Sequence, residues 1–267
     1  MPEQTPADRA ARALTDASGQ TRRRLPEDAT DPDVPVAATV VIVRDAANGP
    51  EVLMTERPDR GSFAGAWVFP GGKLEPGDRA GAPSRAVHPD GRYADDHDEY
   101  AAAVHAGVRE TREETGLSLD AASLVGLSLW DPPPGLALRI RTWFFLAGDP
   151  GGEMSLAPDE VVRAEWVRPR DMLARHGRGE VTLYPPTWVT LHSLADQPDV
   201  EAILGFARIG GVRRFETVAR RGGEGPILLW QGDAAYDDAA ATDDSGGLAS
   251  RHRLEIAALP WIYTRSE

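Results

Sequence analysis

The chain has 267 residues, 41% of them hydrophobic, enough apolar material for a core, which excludes a disordered or fibrous protein. Its 42 acidic and 29 basic residues give a formal charge of −13, which argues against broad contact with nucleic acid or an anionic membrane. It contains no cysteine, so disulfides, thiolate zinc sites, iron–sulfur clusters and a cysteine nucleophile are excluded.

Residues 1–33 are rich in Pro, Asp, Arg and Ala and lack the apolar stretch of a secretory signal. They read as a flexible tail with one short helix near Ala7–Ala17. No run approaches ~18 apolar residues, so nothing is expected to span a bilayer, and a cytoplasmic location fits. Val36–Val43 (VAATVVIV) is β-branched and bounded by Pro35 and the Asp45–Pro50 turn, the pattern of a buried strand. Glu51–Arg57 follows as its antiparallel partner, and Ala66–Pro70 is a third strand ending at Gly71–Gly72. Asp78–Asp98 is polar, with Gly, Pro and His, and reads as a surface excursion.

From Asp98 to Thr115 the pattern is helical, with Val104, Val108, Thr111 and Thr115 on the face to be buried. Ser123–Trp130, Leu138–Ala147 and Arg163–Val167 read as strands. Pro169–His176, Pro186–Asp196 and Asp199–Ile209 read as helices, the first with its proline in the opening turn. Phe215–Arg220, Ile227–Trp230 and His252–Tyr263 return to strand patterns, around a loose Asp233–Ser250. The whole is α+β with a mixed sheet.

The most informative stretch is Arg109-Glu110-Thr111-Arg112-Glu113-Glu114-Thr115-Gly116-Leu117. At 3.6 residues per turn, Glu110, Glu113 and Glu114 share an arc of about 100°. Three carboxylates so placed repel one another unless something is bound, and Mg²⁺ or Mn²⁺ prefers oxygen ligands of this kind. A cation would also offset the −13 charge if the substrate is an anion. Upstream, Gly71-Gly72-Lys73-Leu74-Glu75-Pro76-Gly77-Asp78 places glycines after a strand, where a backbone carbonyl can approach a cation.

Together these two segments resemble the Nudix hydrolases. The family's box begins at Gly72, takes Asp78 at its first acidic position, and closes with Arg109, Glu110, Glu113, Glu114, Gly116 and Leu117. Asp78 stands for the usual Glu and Thr111 for an aliphatic residue. The spacer between the halves is 79–108, where the family has seven residues; added loop length costs little closure entropy, ~0.6 kcal/mol per doubling. A long insertion inside the box resembles the subgroup typified by a peroxisomal coenzyme A diphosphatase. Leu53-Met54-Thr55-Glu56-Arg57-Pro58, Arg60, Gly65 and Phe69-Pro70-Gly71-Gly72 look like that subgroup's coenzyme A signature, with the second Arg one residue early. Tyr184-Pro185-Pro186-Thr187 resembles its Pro-Pro segment, which implies a substrate-side wall, although helix initiation explains it equally well.

The resemblance implies a Nudix fold: a mixed β-sheet sandwiched between helices over residues 34–178, its box split by an insertion at 79–98, with a C-terminal α/β extension over 179–267. It also implies a Mg²⁺- or Mn²⁺-dependent hydrolase acting on the diphosphate of a small nucleoside diphosphate derivative, foremost coenzyme A or acyl-coenzyme A. Glu110, Glu113, Glu114 and a carbonyl of Gly71 or Gly72 would serve the metal. Arg109 would orient a glutamate, Glu113 or Glu160 would take the proton, and Arg57 and Arg60 would hold phosphates. Glu153 is a weaker competitor of Glu160. His88, His97 and His105 read as surface histidines, and Trp67, Trp143 and Trp166 as core. An ADP-ribose or dinucleotide diphosphatase, or a nucleotide sensor without turnover, is the alternative.

Overall fold

The structure is a computed structural model that describes residues 24–29, 31, 33–61, 63–80, 97–136, 139–237 and 250–266. The expected helix near Ala7–Ala17 and most of the 79–98 excursion lie outside those residues.

Strand β1 (Val36–Arg44) organises the fold. Along one edge it pairs in parallel with β6 (Arg141–Gly148), from Val36 against Arg141 to Val43 against Gly148. Its other edge is shared. The C-terminal end pairs antiparallel with β2 (Glu51–Glu56) through Val43 and Val52, and the N-terminal end takes the three-residue β4 (Gly71–Lys73). Strands β3 (Trp67–Val68) and β7 (Arg163–Val167) pair with β2, and β5 (Val125–Asp131) pairs antiparallel with β6. The sheet is closed at its far edge by β8 (Arg213–Glu216), parallel to β5, which completes eight strands.

Both faces of this sheet are covered, which is why β1 reads as a continuous apolar run rather than an alternation. Ala38, Val40 and Ile42 pack with Trp143 and Phe145 beneath the long helix; α1 is Pro76–Ala80 and this helix is α2 (His97–Thr115). Val41 and Val43 pack with Phe144 and Leu146 on the opposite face, against α3 (Pro169–Gly177), α4 (Pro185–Leu194) and α5 (Val200–Gly210). The expected burial of Trp67 and Trp143 is found, each at most 1% exposed. The deepest stripe of α2 is Ala102, Ala103 and Ala106 with Thr111 and Thr115, whereas Val104 and Val108 are only half-buried. These small side chains let the helix lie close: a Cβ on Gly107 would stand 3.0 Å from Val40 Cγ2.

A second sheet of four strands, order β12-β11-β10-β9, follows. It contains β9 (Val218–Arg221), β10 (Pro226–Leu229), β11 (His252–Glu255) and β12 (Ile262–Arg265), all antiparallel. Two runs expected as single strands are split here. Phe215–Arg220 changes sheets at Thr217, whose N–H donates to Asp131 O at 3.0 Å. His252–Tyr263 folds back as a hairpin, and Pro260 in the reversal has no N–H to donate to a ladder.

The two termini of the expected loose regions are also tied down. Asp233 is 5% exposed and accepts two 2.7 Å bonds from Arg253, which fastens the start of the expected loose stretch to β11. At the front, the Arg24 guanidinium is buried and donates to Pro132 O (3.0 Å) and Thr217 O (3.3 Å). Within the expected flexible tail over 1–33, Arg24 and Asp28 are therefore buried. Among the described residues no helix is long and apolar enough to cross a membrane.

Candidate active site

Because β4 and α2 both lie on β1, the Gly71–Gly72 segment faces the last two turns of the helix. The approach is close. A Cβ on Gly72 would fall 2.4 Å from the Glu110 carboxylate, and one on Gly71 would meet Ala38 O at 2.3 Å. Gly71, at φ 156°, donates its N–H to Glu114 Oε2 at 3.0 Å. The sequence led us to expect a glycine carbonyl near the carboxylates; the contact made is through the amide of Gly71.

Arg109 fastens the two halves of the split pattern together. Its Nε and Nη2 donate to the two oxygens of buried Asp78, at 3.1 and 3.0 Å, and Nη2 also reaches Lys73 O. Its Nη1 donates to Glu110 at 2.8 Å and to Glu113 at 2.9 Å. Asp78 further accepts the Glu75 N–H, and although burial pushes its carboxyl up, these bonds hold it below the usual range. A shorter Asp thus serves here because the helix α1 brings it under the guanidinium.

Glu160 comes from a loop whose position follows from the way α2 ends. Gly116, at φ 75°, turns the chain out of the helix. The free carbonyls of Thr115 and Glu114 accept N–H bonds from Ser155 (2.9 Å) and Ala157 (3.1 Å). Loop 149–162 is thereby pinned to the helix end, and Glu160 returns to it. Carboxylate oxygens of Glu110, Glu114 and Glu160 all lie within 4.8 Å of one another. Glu113 stands outside that group, 54% exposed in its side chain and paired with Arg109.

The electrostatic consequence is marked. Burial pushes the Glu114 carboxyl up to about 7, against the pull of the Gly71 N–H and of Arg57, with Glu110 and Glu160 adding repulsion. Glu110 is raised for the same first reason, although Arg109 pulls it down. Arg57 Nη1 is 3.7 Å from Glu114 Oε1, so one of the two expected arginines does stand at the acidic group. Arg60 is exposed and donates to Asp159 O at 2.8 Å, beside Glu160. Further along the same loop, Phe63 packs edge-on to Tyr184 at 4.7 Å, which joins the arginine-bearing loop to the start of α4.

A model of the NUDIX domain family matches residues 34–185, and the chain belongs to that family as a Nudix-type hydrolase. Among curated proteins it is similar to one from Caenorhabditis elegans whose name places it among the nudix hydrolases, at 26% identity over 146 residues. That stretch is 53% of this chain and 31% of the other, so the match spans about a third of that relative's length. A crystal structure of a NUDIX hydrolase from Alicyclobacillus acidocaldarius is similar at 27% identity and a TM-score of 0.56, covering 65% of this chain and 96% of that one. Nudix hydrolases in general use divalent metal ions. The group Glu110–Glu114–Glu160 fits one: it offers hard oxygen ligands, two of them crowded and half-buried to buried with raised proton affinity.

Proposed function

We propose that the protein hydrolyses the diphosphate linkage of a small nucleoside diphosphate derivative with Mg²⁺ or Mn²⁺, and that its favoured substrate is coenzyme A or an acyl-coenzyme A. The observation that carries the reading is the meeting of Glu110, Glu114 and Glu160 within 4.8 Å, with Arg57 against Glu114. Glu110 and Glu114 would hold the cation, and Glu160 would complete the ligands or take the proton of the attacking water. When bound, the metal would neutralise phosphate oxygens and make a coordinated water a stronger acid. Arg109 fixes the Glu110 and Glu113 rotamers, which leaves Glu113 a positioning part in place of the base. Gly72 keeps the cleft open beside Glu110, where any side chain would collide.

A proton and a cation compete for the same carboxylates, so metal affinity should depend on pH. Glu114 binds its proton more tightly in the folded chain than at its ordinary value of 4.5. In the metal-free protein its contribution to stability is complete below about 4.5 and is lost as pH rises through about 7. Conversely, Mn²⁺ affinity measured by calorimetry should rise roughly tenfold per pH unit towards 7 and level off above it. An affinity flat from pH 5 to 8 would mean that Glu114 is not a ligand.

Coenzyme A carries a 3′-phosphate that dephospho-coenzyme A lacks, and a guanidinium holds phosphate by charge-assisted bonds. Replacing Arg57 and Arg60 by Ala should therefore raise KM for coenzyme A more than for dephospho-coenzyme A. Equal effects would confine the pair to the shared diphosphate. Good hydrolysis of ADP-ribose with neither coenzyme turned over would transfer the assignment to the alternative substrate class.

A further inference from the structure

Where β8 of the large sheet meets β11 and β12 of the small one, two clefts of about 250 and 270 Å³ adjoin, sharing Arg213, Phe215 and Arg265 in their walls. No residue of the acidic site lines either. Nor does any aspartate or glutamate among the described residues, in a chain with 42 of them.

Arg213 opens β8, opposite Ser128, and its guanidinium lies 4.7 Å above the Phe206 ring. No carboxylate pairs with it among the described residues. Burial lowers its proton affinity, and the charge of Arg265, an exposed residue of β12, lowers it further. His252 does not relieve this. Its Nδ1 is 2.9 Å from Gln231 O, which can only accept, so Nδ1 carries a proton, and Nε2 lies 3.0 Å from the Tyr263 hydroxyl. Burial first, then both arginines, lower its proton affinity. Taking a cation such as Arg213 partly out of water is costly unless an anion meets it.

We propose that these clefts form a second binding site, for an organic phosphate monoester. Its phosphate lies between Arg213 and Arg265, and its aromatic or apolar body lies against Phe206 and Tyr263 in the less polar cleft. A guanidinium pair offers the planar donors that a phosphate dianion accepts, and Phe206 and Tyr263 add aromatic surface to the wall of the second cleft. The site is independent of the diphosphatase reading, since none of its residues serves the acidic group.

The test is calorimetric titration of the full chain with phenyl phosphate and with inorganic phosphate, EDTA being present to keep cations from the glutamates. Saturable binding of phenyl phosphate, at least ~10-fold tighter than that of inorganic phosphate, is expected. Arg213→Gln and Arg265→Gln should each weaken it at least ~10-fold, and Arg57→Ala should leave it unchanged. Arg265 is exposed on the edge strand, so its variant carries the test even if Arg213→Gln fails to fold. No saturable binding, equal affinity for the two probes, or loss in Arg57→Ala with retention in Arg265→Gln would overturn the proposal.

Discussion

Glu114→Gln is expected to leave the fold intact while lowering metal-dependent turnover by ~10²-fold or more. The amide is nearly isosteric, and its oxygen can still accept the Gly71 N–H that the carboxylate accepts at 3.0 Å. What is lost is the charge of a 2%-exposed side chain at the centre of the acidic group, and with it a ligand for a hard cation. Circular dichroism should be unchanged, while a Mg²⁺ titration of turnover should show both a lower plateau and a weaker midpoint. Near-normal turnover with an unchanged Mg²⁺ midpoint would remove Glu114 from the metal site.

The largest expected loss of stability lies elsewhere, at Asp131. This carboxylate is 1% exposed at the end of β5 and receives Arg141 Nε at 2.7 Å and Arg214 Nε at 3.1 Å, with Arg24 Nη2 at 3.8 Å. It joins the segment before β1 to strands β5, β6 and β8 of the large sheet. Asp131→Ala would leave the buried guanidiniums of Arg24 and Arg141 without their common counter-charge, which typically costs ~3–5 kcal/mol. Urea unfolding should show that loss; a change below ~1 kcal/mol would mean that water or other acids replace the carboxylate.

How much of this was legible in the chain depended on whether the signal was local. β1, β2 and β7 carry β-branched or apolar runs with clear boundaries, and α2 carries its glutamates and its terminating glycine in one stretch, so both were readable. The meeting of Asp78 with Arg109 was legible only through resemblance, because the two halves of the pattern are separated by 79–108. Glu160 could be named as a candidate, but its position depends on the backbone bonds of Ser155 and Ala157 to the end of α2, which no residue type announces. The sheet change at Thr217 was hidden because Phe215–Arg220 keeps a strand-like composition across it. Arg213 and Arg265 come from different sheets, and only the pairing of β8 with β5 and of β12 with β11 brings them together.

Crystals of the full chain grown with Mn²⁺ and measured for anomalous scattering would test the assignment most directly. A peak coordinated by carboxylate oxygens of Glu110 and Glu114, with Glu160 completing the ligands or within reach of a coordinated water, is the expected result. A peak held by other residues, or none there at saturating Mn²⁺ above pH 7, would contradict it.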